Sequence, residues 1–193
     1  MHLKIQCLAI ILSGYTFREA INTDNNGGIF VLQAKDIIQG TNITETKSLT
    51  PISFCGTRTT SFLQKGDIAI VSRGTGIGSF RCVLFNLSNA NVIASSSVLI
   101  LRLKKSSVLA GYVTLYLNSA IGQNKIFQAT TGAYIQAVSR KNLEEIEIPV
   151  PSMQKQLSLI ALEENMRHQE KLSEKKRILR QGIFNTVIKN LSI

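Results

Sequence analysis

Apolar residues change their spacing along this chain, and the changes mark out its elements. Up to Leu103 they come in short runs: Cys7 to Leu12, Ile29 to Leu32, Ile68 to Val71, Phe80 to Leu87, Val92 to Ala94 and Val98 to Leu103. Turn-forming clusters such as Asp24-Asn25-Asn26-Gly27-Gly28 and Gln64-Lys65-Gly66-Asp67 separate them, and this punctuation predicts strands with little helix between. Ile68-Ala69-Ile70-Val71 has no polar position, which predicts a strand covered on both faces. Tyr15 to Ile21 reads as one more short element. From Leu109 to Phe127 the spacing turns helical, with Leu109, Val113, Tyr116, Leu117, Ala120 and Ile121 on one side, and predicts a single helix packed on the sheet. Tyr134 to Val138 and Ile146 to Val150 are expected as closing strands.

The pattern changes again after Pro149-Val150-Pro151. Two prolines this close hold the backbone extended, because each fixes φ and pushes the preceding residue out of the α region. A helix can start only beyond them, with Ser152 as its N-cap. Past Ser152, Leu162, Met166, Leu172, Leu179, Ile183 and Val187 recur at spacings of threes, fours and sevens, with Gln169 and Lys176 as polar members of the same line. The stretch Arg167 to Arg180 is otherwise mostly charged, too narrow an apolar stripe for a globular core but enough for a coiled-coil seam. Gly182 marks an expected fray or bend. The reading is an α+β chain: a β-rich domain with packed helices over residues 1–151, then a long coiled-coil helix over 152–193.

Length and charge fit that division. The chain has 193 residues, 44% hydrophobic, and a formal net charge of +10. Residues 1–151 hold 14 Lys and Arg against 8 Asp and Glu, and residues 152–193 hold 8 against 4, so both parts are basic and suit a polyanionic partner such as nucleic acid. Cys7, Cys55 and Cys82 are odd in number and far apart, which predicts buried free thiols and a reducing, cytoplasmic setting. The first apolar run is too short for a signal peptide and leads straight into polar sequence, so a buried first element is expected, and no stretch approaches a membrane span.

Catalytic patterns are sparse. Ser72-Arg73-Gly74-Thr75-Gly76-Ile77-Gly78-Ser79 follows an apolar strand, but its third glycine comes one residue early for a dinucleotide fingerprint and no Gly-Lys-Ser/Thr follows, which leaves a tight turn from which Arg73 projects. Asp36, Glu45 and Lys47 have the residue types of a metal-dependent nuclease, two carboxylates for the metal and a lysine at the phosphate. Their spacing is loose and such residue types recur by chance, so a solvated loop is the default reading. His2 and His168 have no nucleophile or Cys/His cluster near them in sequence. Metal and cofactor sites are therefore not expected. The residues that suit a nucleic-acid surface are Tyr15, Arg18, Arg58, Thr60, Arg73, Lys125, Thr131 and Tyr134, since Lys and Arg neutralise phosphates while Arg and Thr also bond base edges.

Ser13-Gly14-Tyr15-Thr16-Phe17-Arg18, Gln33-Ala34-Lys35-Asp36-Ile37, Lys65-Gly66-Asp67-Ile68-Ala69-Ile70, Asn118-Ser119, Thr131-Gly132, Leu143 to Pro151 and Gln154-x-Gln156 together resemble the specificity subunits of type I restriction-modification systems. The resemblance implies a target recognition domain that reads one half of a split site in double-stranded DNA, and a long helix that sets the gap. It also implies that catalysis belongs to partners: methyltransferase subunits, which bring S-adenosylmethionine, and through them restriction subunits. Full-length specificity subunits carry two recognition domains and two helices. One of each is present here, so two copies are expected to pair antiparallel as a homodimer through Leu162, Met166, Gln169, Leu172, Lys176, Leu179 and Ile183, and to read an interrupted palindrome. A helix of about 39 residues at ~1.5 Å each caps the gap at roughly 17 base pairs. Two other readings are an interaction module that binds methyltransferase subunits without reading DNA, and the nuclease of Asp36, Glu45 and Lys47.

Overall fold

The structure, a computed structural model, describes residues 1–54, 61–88 and 91–191. In chain order the elements are β1 (His2–Lys4), α1 (Ile5–Leu8), β2 (Ala9–Ser13), β3 (Ile29–Leu32), a 3-10 turn (Ala34–Asp36), β4 (Asn42–Ile43), β5 (Thr50–Ile52), β6 (Ile68–Val71), β7 (Arg73–Gly74), β8 (Cys82–Phe85), β9 (Val92–Ala94), β10 (Val98–Leu103), α2 (Ala110–Asn118), α3 (Ala120–Gln128), β11 (Thr130–Thr131), β12 (Gln136–Val138), α4 (Arg140–Glu144), β13 (Glu147–Pro149) and α5 (Met153–Leu191). The α+β reading holds.

A five-stranded sheet in the order β2-β10-β6-β8-β4 forms the middle layer, antiparallel except for the β8–β4 pair. Successive residues of a strand face opposite ways, and β6 uses both directions. Ile68 and Ile70 pack with Leu101, Cys82, Val113, Leu117 and Ile126 under the helices, while Ala69 and Val71 pack with Ile100, Val83, Leu32 and Val92 toward a second sheet, β5-β3-β9. The layer on either side explains the unbroken apolar run. The outer face of the second sheet is covered in turn by Tyr15, Phe17, Phe54 and Phe62 around Val31, Ile52 and Ile93.

Several expectations change in three dimensions. The single helix over Leu109–Phe127 is two, because Ser119 takes an extended backbone and its hydroxyl accepts from the Gly122 amide as an N-cap. The break lets Asn118 reach Cys82, accepting from its amide at 2.9 Å and donating to its carbonyl at 2.8 Å where β4 is too short to continue the ladder. Tyr15 to Ile21 forms no regular element beyond a bridge to Ser95. Cys7 is exposed rather than buried, since α1 turns Ile5 and Leu8 inward and leaves the residue between them out. Cys82 is buried as expected, and burial pushes its thiol up from the ordinary range. Cys55 lies outside the described residues. The helix runs through Gly182 without interruption.

The proline segment closes the domain. β13 pairs with β1 at the end of the middle sheet where β10 finishes, and the Tyr112 hydroxyl donates to the Pro149 carbonyl at 2.6 Å. From there α5 docks by one narrow stripe: Gln156, Ile160, Glu163 and Arg167, spaced four, three and four. Gln156 is wholly buried, accepting from the Leu109 amide at 2.9 Å and donating to the Ser107 and Pro151 carbonyls at 3.0 Å each. Ile160 lies against Gly111 of α2, where an added Cβ would meet the Ile160 Cδ1 at 3.2 Å, so a glycine sets the approach. Arg167 donates to the Gly40 carbonyl, and the neighbouring Gln39 donates to Asn118 at the far end of α2. Thus α5 climbs beside α2 in the same direction, and all its described residues from His168 onward are exposed. No helix among the described residues is long and apolar enough to cross a membrane. Replacing Gln156 by Leu strands a buried amide and carbonyls, and is expected to lower the unfolding free energy in a denaturant titration by about 2–4 kcal/mol, at roughly 1–3 kcal/mol per unsatisfied group. Gln154→Leu, on the exposed side, is expected to leave it unchanged.

Candidate nucleic-acid interface

The registers of the middle sheet bring scattered loops to one end. Ser13, the last residue of β2, pairs with Leu99 near the start of β10; Val71, the last of β6, pairs with Val98; Cys82, the first of β8, pairs with Ile70. The chain after β2 and β6 and before β8 and β10 therefore leaves from the same end, opposite the one closed by β1 and β13. Backbone bonds knit these exits together: Tyr15 to Ala94 at 2.7 Å, Ser72 to Ser97 at 2.9 Å and Val138 to Ser72 at 3.0 Å. The last of these brings in a small sheet, β11-β12-β7.

In that small sheet Thr131 pairs with Ala137 and Ala137 with Arg73, a cross-strand row whose side chains share one face. Arg73 and Thr131 are exposed. Beyond the row, Gly132 to Ile135 turn the β11–β12 hairpin. Gly132 has φ +118 and an added Cβ would lie 2.2 Å from the Ile135 carbonyl oxygen, so only glycine fits. The Gln136 side chain braces the turn from inside by donating to the Gly132 carbonyl at 2.6 Å while its oxygen accepts from the Thr130 hydroxyl at 2.7 Å. Tyr134 stands out at the tip. Arg18 is exposed three residues beyond Tyr15. Neither Arg18 nor Arg73 forms an ion pair among the described residues, in contrast to Arg102, which holds the buried Asp67 at 2.7 and 2.9 Å and has its own proton affinity raised by those bonds. An exposed guanidinium group without an ion-pair partner can take a phosphate or a base edge.

The model of the type I restriction modification DNA specificity domain matches residues 4–177. The chain belongs to that family. Among solved structures, this specificity domain resembles the S subunit of a type I restriction-modification system from M. genitalium, at 18% identity and a TM-score of 0.57, over 94% of this chain and 43% of that one. It also resembles the HsdS subunit from Thermoanaerobacter tengcongensis, at 19% identity and 0.60, over 88% and 37%. A third likeness, to a chain from work on complex assembly in the type I R-M system, has 17% identity and 0.61, over 88% and 38%. At these identities the likeness is one of fold, and the specificity domain spans about two fifths of the length of those chains. No curated protein matches it.

Not every residue expected at the interface joins it. Arg73, Thr131 and Tyr134 share the small sheet at this end, while Arg18 is exposed beside Phe17, which packs on the outer face of the second sheet. The Tyr15 ring is packed edge-on against Phe17 and Phe54, with centroids 4.9 Å away in each case, and serves the aromatic layer. Lys125 is drawn elsewhere: its ammonium donates to the Glu147 carbonyl at 2.8 Å, 5.9 Å from the Tyr116 ring centroid, tying α3 to β13. Arg58 and Thr60 lie outside the described residues. Sequence reasoning missed three members of this end, Ile77, Arg81 and Ile135. Ile77 had a signal, an isoleucine between two glycines with no apolar neighbour to pack against. Arg81, half-buried at the mouth of β8, has a buried Nε without a partner among the described residues.

The nuclease residues have local uses instead. Asp36 caps its own 3-10 turn by accepting from the Gln33 amide at 2.9 Å, and partial burial raises its proton affinity, whereas Glu45 pairs with Lys47 at 3.4 Å. Among the described residues no three His, Cys, Asp or Glu cluster to hold a metal. Gly132→Ala is expected to loosen the hairpin alone: the Gln136 and Ala137 amides should exchange with solvent about tenfold faster or more, at ~1.4 kcal/mol per factor of ten, with the β6 amides unaffected.

Proposed function

We propose that this chain is a non-catalytic sequence-recognition subunit of a type I restriction-modification system. Its head, residues 1–151, reads one half of a bipartite DNA site through the sheet end that carries Arg73, Thr131 and Tyr134, with Arg18 as a further contact, and its rod, residues 152–193, sets the spacing. The convergence of Arg73, Thr131 and Tyr134 on one small sheet, in a chain matched by a DNA specificity domain, is the observation that carries the reading. Methylation and cleavage fall to methyltransferase subunits and, through them, restriction subunits.

The pairing surface is the apolar line of α5 that the docked stripe leaves exposed. Leu162, Met166, Leu172, Leu179 and Ile183 are each at least half exposed. Leu162 and Met166, with Leu159, also form one wall of a cleft of about 440 Å³ whose other wall includes Gly111 and Leu115 of α2. The stripe is self-complementary about Leu172-Ser173. An antiparallel second copy centred there sets Leu162 against Ile183, Met166 against Leu179 and Gln169 against Lys176, with Leu172 at the crossing. The same register faces Glu170 with Lys175 and Lys171 with Glu174, and lays Ile183 and Phe184 of each copy along the cleft of the other. The docked turns, centred near residue 161, then lie about eleven residues from the axis, ~16 Å at 1.5 Å per residue, so the two heads sit roughly 33 Å apart. That is close to one turn of B-DNA, about 34–36 Å, the separation at which two heads meet the same face of the duplex.

Selection from a random duplex library is expected to return an interrupted palindrome. Pull-down of methyltransferase subunits with no enriched sequence would instead mark an interaction module. In sedimentation, Leu162→Lys should dissociate the dimer, and Leu162→Lys with Ile183→Glu should restore it, because the register brings these two positions together. Failure of the double variant to recover refutes this pairing.

A further inference from the structure

The hairpin tip carries more apolar surface than a reader of base edges needs. Tyr134 is 84% exposed and Ile135 59%, and Ile77, at the tip of the loop that follows β7 in the same small sheet, is 61% exposed. None of them packs into the three core clusters. Holding such side chains in water forgoes about 1.5–3 kcal/mol apiece relative to burial, and large apolar groups at a protruding tip point to a partner that covers them. The tip is also stiff. Gly132 admits no side chain, Gln136 bonds across the turn, and the Asn142 side chain donates to the Ala129 carbonyl at 2.8 Å at the base of β11.

We propose that this tip is a wedge that enters between base pairs of duplex DNA, with Tyr134 and Ile135 displacing a stacking contact and Ile77 closing on its flank. The proposal rests on the head being a DNA reader and specifies how it engages its site. DNA is favoured as occupant by what surrounds the tip: Arg73, two rows behind it and free of any ion pair among the described residues, stands where a wedge needs a phosphate anchor, and Thr131 shares its face. Rigid apolar side chains backed by a cation are what opening a base step demands, since unstacking must be offset by buried surface and by backbone contacts. A wedge also gives sequence preference without base-edge bonds, because pyrimidine–purine steps open most easily.

The test uses the full chain and a duplex obtained by selection, with 2-aminopurine at each position in turn. Unstacking raises the fluorescence of that base, so the intact protein should give a several-fold rise at one step in each half-site. Tyr134→Ala and Ile135→Ala, both at exposed positions, should abolish the rise and weaken binding about tenfold. Arg73→Ala should lower the salt slope of binding by about one while the rise survives at saturating protein. Binding of the duplex with no rise at any position, or with a rise that persists in both tip variants, overturns the wedge and leaves the DNA-reading head intact. If no duplex is selected, both fall. If Tyr134→Ala loses methyltransferase subunits but not the fluorescence change, the tip belongs to a protein partner and the wedge is wrong.

Discussion

The side-chain amide of Gln156, wholly buried, bonds three points of backbone: the Ser107 carbonyl and the Leu109 amide, which lead into α2, and the Pro151 carbonyl, which ends the proline segment. An amide in an apolar site must satisfy both its donor and its acceptor or lose more than it gains. That requirement fixes where α5 begins and which side of it faces the head. Ile160, Glu163 and Arg167 follow on the same stripe, and the rest of the helix inherits its direction from these turns. The apolar line from Leu162 to Ile183 stays exposed because Gln156 commits a different line of the helix to the domain.

A similar constraint governs the head. Its middle sheet is covered on one face by helices and on the other by a second sheet, so the inner strands β10, β6 and β8 leave no side chain fully exposed. Chemistry is left to the ends of the strands. One end is taken up by closure, where β1, β13 and the Tyr112 hydroxyl seal the domain. The other gathers the exits of β2 and β6 and the entries of β8 and β10, and there the small β11-β12-β7 sheet holds Arg73 and Thr131 side by side although 58 positions separate them in sequence. Since α5 climbs beside α2 from the closed end, its free part extends past the end that bears these residues.

Lys125 and Arg73 illustrate how far residue type alone can be trusted. Both are basic, near glycines or small residues, and equally suited to phosphate by composition. The Lys125 ammonium closes a gap between α3 and β13 by bonding a main-chain carbonyl, whereas Arg73 sits in a two-residue strand with no ion-pair partner among the described residues. Asp36 and Glu45 make the same point for carboxylates, one capping a 3-10 turn and the other pairing with a neighbour two residues away.

By itself the sequence determined the elements whose signals are local. The unbroken run Ile68 to Val71 required a strand covered on both faces, Pro149 and Pro151 required an extended exit, and the spacing from Leu162 to Val187 required a long helix with one apolar line. It also carried the family through motifs spread along most of the chain. Only the tertiary structure decided the rest: that Ser119 splits one helix into two so that Asn118 reaches β8, that Tyr15 belongs to an aromatic layer, and that Thr131 and Arg73 are neighbours while Lys125 is not. These depend on strand register and on which backbone groups lack partners until the layers meet. Such properties belong to pairs of distant segments, and no window of sequence contains both members.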